Sequence, residues 1–230
     1  MRGKLYGVGV GPGDPELLTL KAVRIIQECG ALAVPGREKE ETVSYKIVCQ
    51  AVPEAAEKMC LELEMPMTKD KEKLEQSHEA AFAQIRKELD EGRNIAFLTL
   101  GDPCIYSTYI YMHQRAAAAG YETEIINGIP SFCAVSAKLN QGLVENSQML
   151  HIIPSTYGIE EGIHLSGTKV LMKPGRKLGQ IREELSGLSS CQVSMVENCG
   201  MEEEHIYRRA EDIPEQAGYY SLLIVKEQKL

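Results

Sequence analysis

The run Gly7-Val8-Gly9-Val10-Gly11-Pro12-Gly13-Asp14-Pro15 restricts the fold more than any other stretch of the chain. It closes an alternating, strand-like segment, Lys4 to Val10, and precedes helical periodicity from Thr19 to Cys29 carried by Leu20, Val23, Ile25 and Ile26. Strand, glycine turn and helix in that order begin an open α/β sheet, and such sheets place ligands at the carboxyl ends of their strands. The dinucleotide fingerprint Gly-x-Gly-x-x-Gly is nevertheless not met. Counted from Gly7 the third glycine would be Pro12, and from Gly9 it would be Asp14. Pro12 has no amide hydrogen to offer a pyrophosphate, no acidic residue closes the second strand at Val34, and no Gly-Lys-Ser/Thr ending makes a phosphate loop. A tight turn that binds nothing would also use glycine. Alternating glycines in one turn cost more backbone entropy than a turn requires, which favours a binding role.

The rest of the chain continues the α/β pattern. Ala31 to Val34 is a short apolar strand ended by Pro35-Gly36, and Thr42 to Ala51 has helical spacing. Lys58 to Met65 reads as a strand, Leu74 to Glu91 as a charged amphipathic helix, and Asn94 to Leu100 as a strand covered on both faces. A helix from about Thr108 ends at Gly120, and strand character resumes from Tyr121 to Ile126. A hinge is therefore expected at 113–121, between an N-terminal α/β domain at 1–115 and a C-terminal one at 121–230. In the second half, strands are predicted at Met149 to Ile153, Thr168 to Met172, Gln192 to Val196, His205 to Arg209 and Tyr219 to Val225. Helices are predicted around Pro130 to Leu139 and Leu178 to Leu188. The strand-rich end predicts a mixed sheet there and a mostly parallel one in the first half.

Charge and cysteine usage exclude several function classes. With 33 acidic against 25 basic residues the formal net charge is -8, which opposes broad attraction to a phosphate backbone, so no nucleic-acid partner is expected. No apolar run approaches the roughly 20 residues that span a bilayer, and no secretion signal opens the chain, so a cytoplasmic protein without a membrane partner is expected. The 7 cysteines are widely spaced with no Cys-x-x-Cys pair, and the 5 histidines show no His-x-x-x-His spacing, so no metal site is expected.

A second turn, Gly101-Asp102-Pro103-Cys104-Ile105-Tyr106-Ser107-Thr108, follows directly on the apolar strand ending at Leu100. Taken with Gly9-Val10-Gly11-Pro12-Gly13-Asp14-Pro15-Glu16-Leu17-Leu18-Thr19-Leu20-Lys21-Ala22, it resembles the tetrapyrrole methyltransferases that elaborate precorrins and sirohaem precursors. Three further segments agree in order and separation: Gly128-Ile129-Pro130-Ser131-Phe132, Val170-Leu171-Met172-Lys173-Pro174-Gly175-Arg176 and Tyr219-Tyr220-Ser221-Leu222-Leu223-Ile224-Val225. The resemblance covers essentially the whole chain. Within the family, Leu5 to Asp14, Leu98 to Pro103 and Leu171-Met172-Lys173 look most like the members that methylate precorrin-2 at C-20. Members that methylate uroporphyrinogen usually carry a second glycine where this chain has Leu100. One departure is Gly128-Ile129-Pro130-Ser131, where the family more often reads Pro-Gly-Ile/Val-Ser/Thr.

The resemblance implies two α/β domains with S-adenosyl-L-methionine in a cleft between them, held largely by main-chain groups. On matching positions Pro12 would line the cleft, and Leu100, Gly101, Asp102 and Ile105 would surround the methionine and ribose. Ser131 and Phe132 would form the far wall, and Met172, Gly200 and Leu222 would cover the adenine. Plain strand core is the commoner fate of residues such as Met172 and Leu222. The implied reaction is methyl transfer to C-20 of precorrin-2 or cobalt-precorrin-2 in cobalamin biosynthesis, by a homodimer. The alternative is another tetrapyrrole position, on uroporphyrinogen III or a later precorrin. The cofactor carries the activated methyl group, so alignment and desolvation matter more than a nucleophile. A base to remove the C-20 proton would help, with Asp102 and then Tyr106 as catalytic candidates and Tyr111 and Glu197 behind them. An aspartate in such a turn also commonly just caps it. Lys173, Arg176, Lys177 and Arg37 are the basic residues near loop ends that could meet substrate carboxylates.

Overall fold

The structure, a computed structural model, describes residues 1–155, 161–186 and 191–227, with the main chain alone at 176 and 186. Two compact units divide the chain, Met1–Pro130 and Ser131–Leu230. The first holds β1 (Leu5–Gly9), α1 (Leu20–Glu28), β2 (Ala31–Pro35), α2 (Val43–Ala51), β3 (Met59–Leu63), α3 (Lys71–Asp90), β4 (Ile95–Thr99), α4 (Tyr109–Ala118) and β5 (Thr123–Ile126). Its sheet has the order β3-β2-β4-β1-β5 and every pairing is parallel.

Two apolar layers cover this sheet. Central β4 explains its own all-apolar sequence: Ala96 and Leu98 join the layer with Ile25 and Ile26 of α1 and Val48 of α2. Ile95 and Phe97 join the other, with Ile85 of α3 and Met112 of α4. On α1 the buried residues Ala22, Ile25 and Ile26 follow the i, i+3, i+4 spacing of one helical face, while Leu20 is 90% exposed. Each buried isoleucine contributes about 1.5–3 kcal/mol over exposure. Thr19 caps the helix by accepting the Ala22 amide at 3.1 Å. Helix α1 therefore starts well after the glycine turn, and a short 3-10 segment at Pro15–Leu17, capped by Asp14, fills the interval.

The expected break at 113–121 gives way to one between Pro130 and Ser131. Strand β5, which the sequence reading put in the second half, lies parallel to β1 with Leu5 opposite Thr123 and Val8 opposite Ile126. Gly120 ends α4 with a positive φ, but that turn leads to a neighbouring strand of the same sheet.

The second unit contains α5 (Ser131–Lys138), β6 (Leu150–Pro154), β7 (Thr168–Met172), α6 (Leu178–Ser186), β8 (Cys191–Glu197), β9 (His205–Tyr207) and β10 (Ser221–Glu227). Its sheet is mixed, in the order β6-β7-β10-β8-β9, with only the β6–β7 pairing parallel. Leu171, Ile181, Met195 and Leu223 anchor one apolar layer. The predicted helix at 178–188 runs past Ser186, beyond which 187–190 lie outside the described residues. Among the described residues no helix is long and apolar enough to cross a membrane.

Candidate active site

In the first unit the loops after β1, β4 and β5 converge. Gly11 and Gly101 form an isolated antiparallel bridge: the Gly101 amide donates to the Gly11 carbonyl at 2.8 Å, and the Gly11 amide to the Gly101 carbonyl at 3.3 Å. Both glycines have positive φ, 76° and 75°, which a residue with a Cβ adopts only with strain. The third loop packs against the first two. A Cβ on Gly128 would lie 2.2 Å from the Gly101 carbonyl oxygen, and one on Gly9 would lie 2.5 Å from the Gly128 nitrogen. Gly9 and Gly128 are thus glycine because loop backbones touch there.

Asp102 ties these loops together. Its Oδ1 accepts the Cys104 amide at 2.7 Å, closing its own turn, and its Oδ2 accepts the Gly128 amide at 3.0 Å and the Asn127 side-chain amide at 3.1 Å. The residue is 6% exposed. Its hydrogen-bond set is that of the capping role weighed beside the catalytic one. Pro12 is buried, Leu100 and Ile105 are half-buried, and Tyr106 is 53% exposed at the tip of the turn with φ 48°. Tyr111 sits away from the turn's hydrogen-bond network on α4, stacked on His78 of α3 at 4.7 Å.

In the second unit two of the expected residues are brought together. Met172 and Leu222 are direct cross-strand partners on β7 and β10, and Leu222 faces Val196 of β8 on its other side. Both are nearly buried. Gly200, with φ 76°, lies in the β8–β9 connection, where its amide donates to Glu204 at 2.7 Å. Ser131 opens α5 half-buried, and Phe132 beside it is buried. Glu197 accepts the Gly218 amide. Of the basic candidates, Arg37 is paired with Glu64 and the Arg176 side chain lies outside the described residues.

A family model for tetrapyrrole (corrin/porphyrin) methylases matches residues 4–213. The chain belongs to this family. Among tetrapyrrole methylases and their relatives it is 35% identical to a protein of Methanocaldococcus jannaschii named "Probable cobalt-precorrin-2 C(20)-methyltransferase", covering 98% of this chain and 97% of that one. It is 30% identical to a cobalt-precorrin-2 C(20)-methyltransferase of Salmonella typhimurium, covering 99% and 98%. The fold matches a uroporphyrin-III C-methyltransferase of Thermus thermophilus solved in complex with S-adenyl homocysteine, with a TM-score of 0.69, 21% identity and 98% of each chain covered.

The strand-end residues of this tetrapyrrole methylase fit an S-adenosyl group. Thr99, the last residue of β4 and the register partner of Gly9, is 6% exposed, and its Oγ1 has no hydrogen-bond partner among the described residues. A buried hydroxyl without a partner is costly, so one orphaned beside Leu100 and Gly101 suits a polar ligand atom. Gly11 and Gly101 present bare backbone where the two turns meet, and Leu100 and Ile105 supply apolar surface. Sequence reasoning missed Thr99, because only burial distinguishes it from any strand-end threonine. It also missed the Asn127–Asp102 contact, which joins positions 25 apart.

Proposed function

We propose that this chain transfers a methyl group from S-adenosyl-L-methionine to C-20 of a precorrin-2-type ring in cobalamin biosynthesis, with the cobalt-loaded ring as the favoured acceptor. The observation that carries this reading is near-full-length identity of 35% and 30% to two proteins named for that reaction. S-adenosyl-L-methionine, when bound, supplies a methyl group already activated on sulfur, so the protein's work is alignment and exclusion of water. Of the residues that the resemblance implies for its binding, Pro12, Leu100, Gly101 and Ile105 belong to the first unit, and Ser131, Phe132, Met172, Gly200 and Leu222 to the second. Asp102 fixes the relative positions of the turns after β4 and β5, so it acts as a positioning residue. Its carboxylate is already occupied by three N–H donors, which leaves Tyr106 as the better-exposed candidate to meet the substrate.

The test is an assay of the purified chain with carbon-13 methyl-labelled S-adenosyl-L-methionine against precorrin-2 with and without cobalt and against uroporphyrinogen III, reading the labelled carbon by NMR. Label at C-20, with faster turnover on the cobalt form, is the expected result. Label at another carbon, or turnover only on uroporphyrinogen III, overturns the reading.

A further inference from the structure

Lys173 follows β7 directly, and three observations converge on it, the first of them found at no other described lysine. Its backbone is left-handed, with φ 56°, a region that side chains with a Cβ occupy at a cost and that clusters at functional sites. Its amide is held by the Ser221 carbonyl at 3.3 Å, next to the Met172–Leu222 pair. Its ammonium lies 5.2 Å over the ring of Tyr219 and has no carboxylate partner among the described residues. Lys4 and Lys21 share the Glu124 carboxylate, and Lys138 pairs with Glu204. In a chain with 33 acidic and 25 basic residues, a cation left without a counter-ion at a strained strand end is a spare positive charge.

The surroundings say what it would take. Tyr219 and Tyr220 meet edge to face at 5.2 Å and 82°, and they are 40% and 39% exposed. An exposed aromatic pair offers a face to a flat conjugated ring, and the ammonium beside it offers a counter-charge to a carboxylate on that ring's rim. We propose that Lys173, seated on Tyr219, is a positioning residue that takes a ligand carboxylate at this end of the mixed sheet. The proposal rests on the reading above for the identity of the carboxylated ring. The aromatic pair favours the tetrapyrrole rim as the source of that carboxylate, over the amino-acid end of the methyl donor.

The test titrates the full chain with uroporphyrin III, a stable octacarboxylated ring followed by its fluorescence, and with S-adenosylhomocysteine by calorimetry. Wild type is compared with Lys173→Gln, Lys173→Arg and Lys173→Gly. Lys173→Gln should weaken uroporphyrin binding about 10-fold at low salt, since a hydrogen bond to a charged group is at stake. Lys173→Arg should recover most of it. Lys173→Gly relieves the left-handed backbone and should melt no lower than wild type while binding as poorly as Lys173→Gln, a pattern that a purely structural lysine would not produce. Loss of S-adenosylhomocysteine affinity instead would place the donor's carboxylate on Lys173. Unchanged binding of both probes by Lys173→Gln and Lys173→Gly overturns the proposal. A wild type that binds uroporphyrin through Lys173 but leaves precorrin-2 unmethylated would overturn the functional reading and spare this one.

Discussion

The carboxylate of Asp102 accepts the amide of Gly128 at 3.0 Å, joining the loop after β4 to the loop after β5 across 26 positions of sequence. With the Cys104 and Asn127 donors it forms a buried knot at the carboxyl end of the parallel sheet. Removing it would orphan buried N–H groups, the costly side of hydrogen-bond exchange.

Asp102→Ala and Asp102→Asn should therefore both destabilise the chain, by about 2–4 kcal/mol in urea unfolding. Asparagine would turn an amide donor toward other donors or lose one acceptor. Turnover should fall at least ~10-fold alongside, about 1.4 kcal/mol in barrier. An Asp102→Asn protein with wild-type stability and abolished single-turnover methylation would instead put the carboxylate in the chemistry.

Gly128→Ala should cost about 3 kcal/mol or more, because its Cβ would sit 2.2 Å from a backbone oxygen that cannot swing aside. Gly120→Ala is the contrast: Gly120 has a positive φ, 78°, but a Cβ there meets nothing within 4 Å, so its cost should be confined to backbone strain of about 1–2 kcal/mol. Equal unfolding midpoints for the two variants would contradict the loop contact.

Glu124 on β5 bridges Lys4 at 2.8 Å and Lys21 at 2.7 Å. The Lys21 and then the Lys4 hydrogen bond hold its carboxyl down at about 2. A depressed acid contributes stability that is present above its unfolded pKa and lost as pH falls through the folded one, here from about pH 5 to about pH 2. The side chain is 34% exposed, so solvent screening limits the effect to about 1 kcal/mol. Glu124→Gln should be less stable than wild type by that amount at pH 7, and the gap should close below pH 3 and shrink in high salt. A gap that stays constant down to pH 2 would exclude the ion pairs as its source.

Thiol labelling should be selective. Cys104 and Cys133 are exposed, whereas burial pushes the Cys29 and Cys60 thiols up to about 12. At pH 8 a mass-spectrometric time course with iodoacetamide should modify Cys104 and Cys133 first and leave Cys29 and Cys60 intact in the folded chain. Because Cys104 lies in the turn proposed to hold the methyl donor, S-adenosylhomocysteine should slow its labelling. An unchanged Cys104 labelling rate at saturating S-adenosylhomocysteine would weigh against that turn.

Local pattern determined the alternation of strands and helices. Thr168–Met172 coincides with β7, and the readings at Lys58 to Met65, Leu74 to Glu91 and Asn94 to Leu100 fall within a few residues of β3, α3 and β4. Apolar periodicity and Gly/Pro punctuation act over a few residues, so they are visible in the chain itself. Tertiary structure decided what depends on distant partners. The strand at 123–126 belongs to the first unit because β1 offers it a free edge, which no local pattern at 113–121 could announce. The glycine-rich run was legible as a strand-to-helix turn, yet the glycines of this loop cluster divide by role only in three dimensions. Gly11 and Gly101 are there for backbone conformation, while Gly9 and Gly128 are there because two loops touch. The same holds for Asp102, whose partners arrive from β5, and for Lys173, whose meaning comes from a tyrosine 46 positions later.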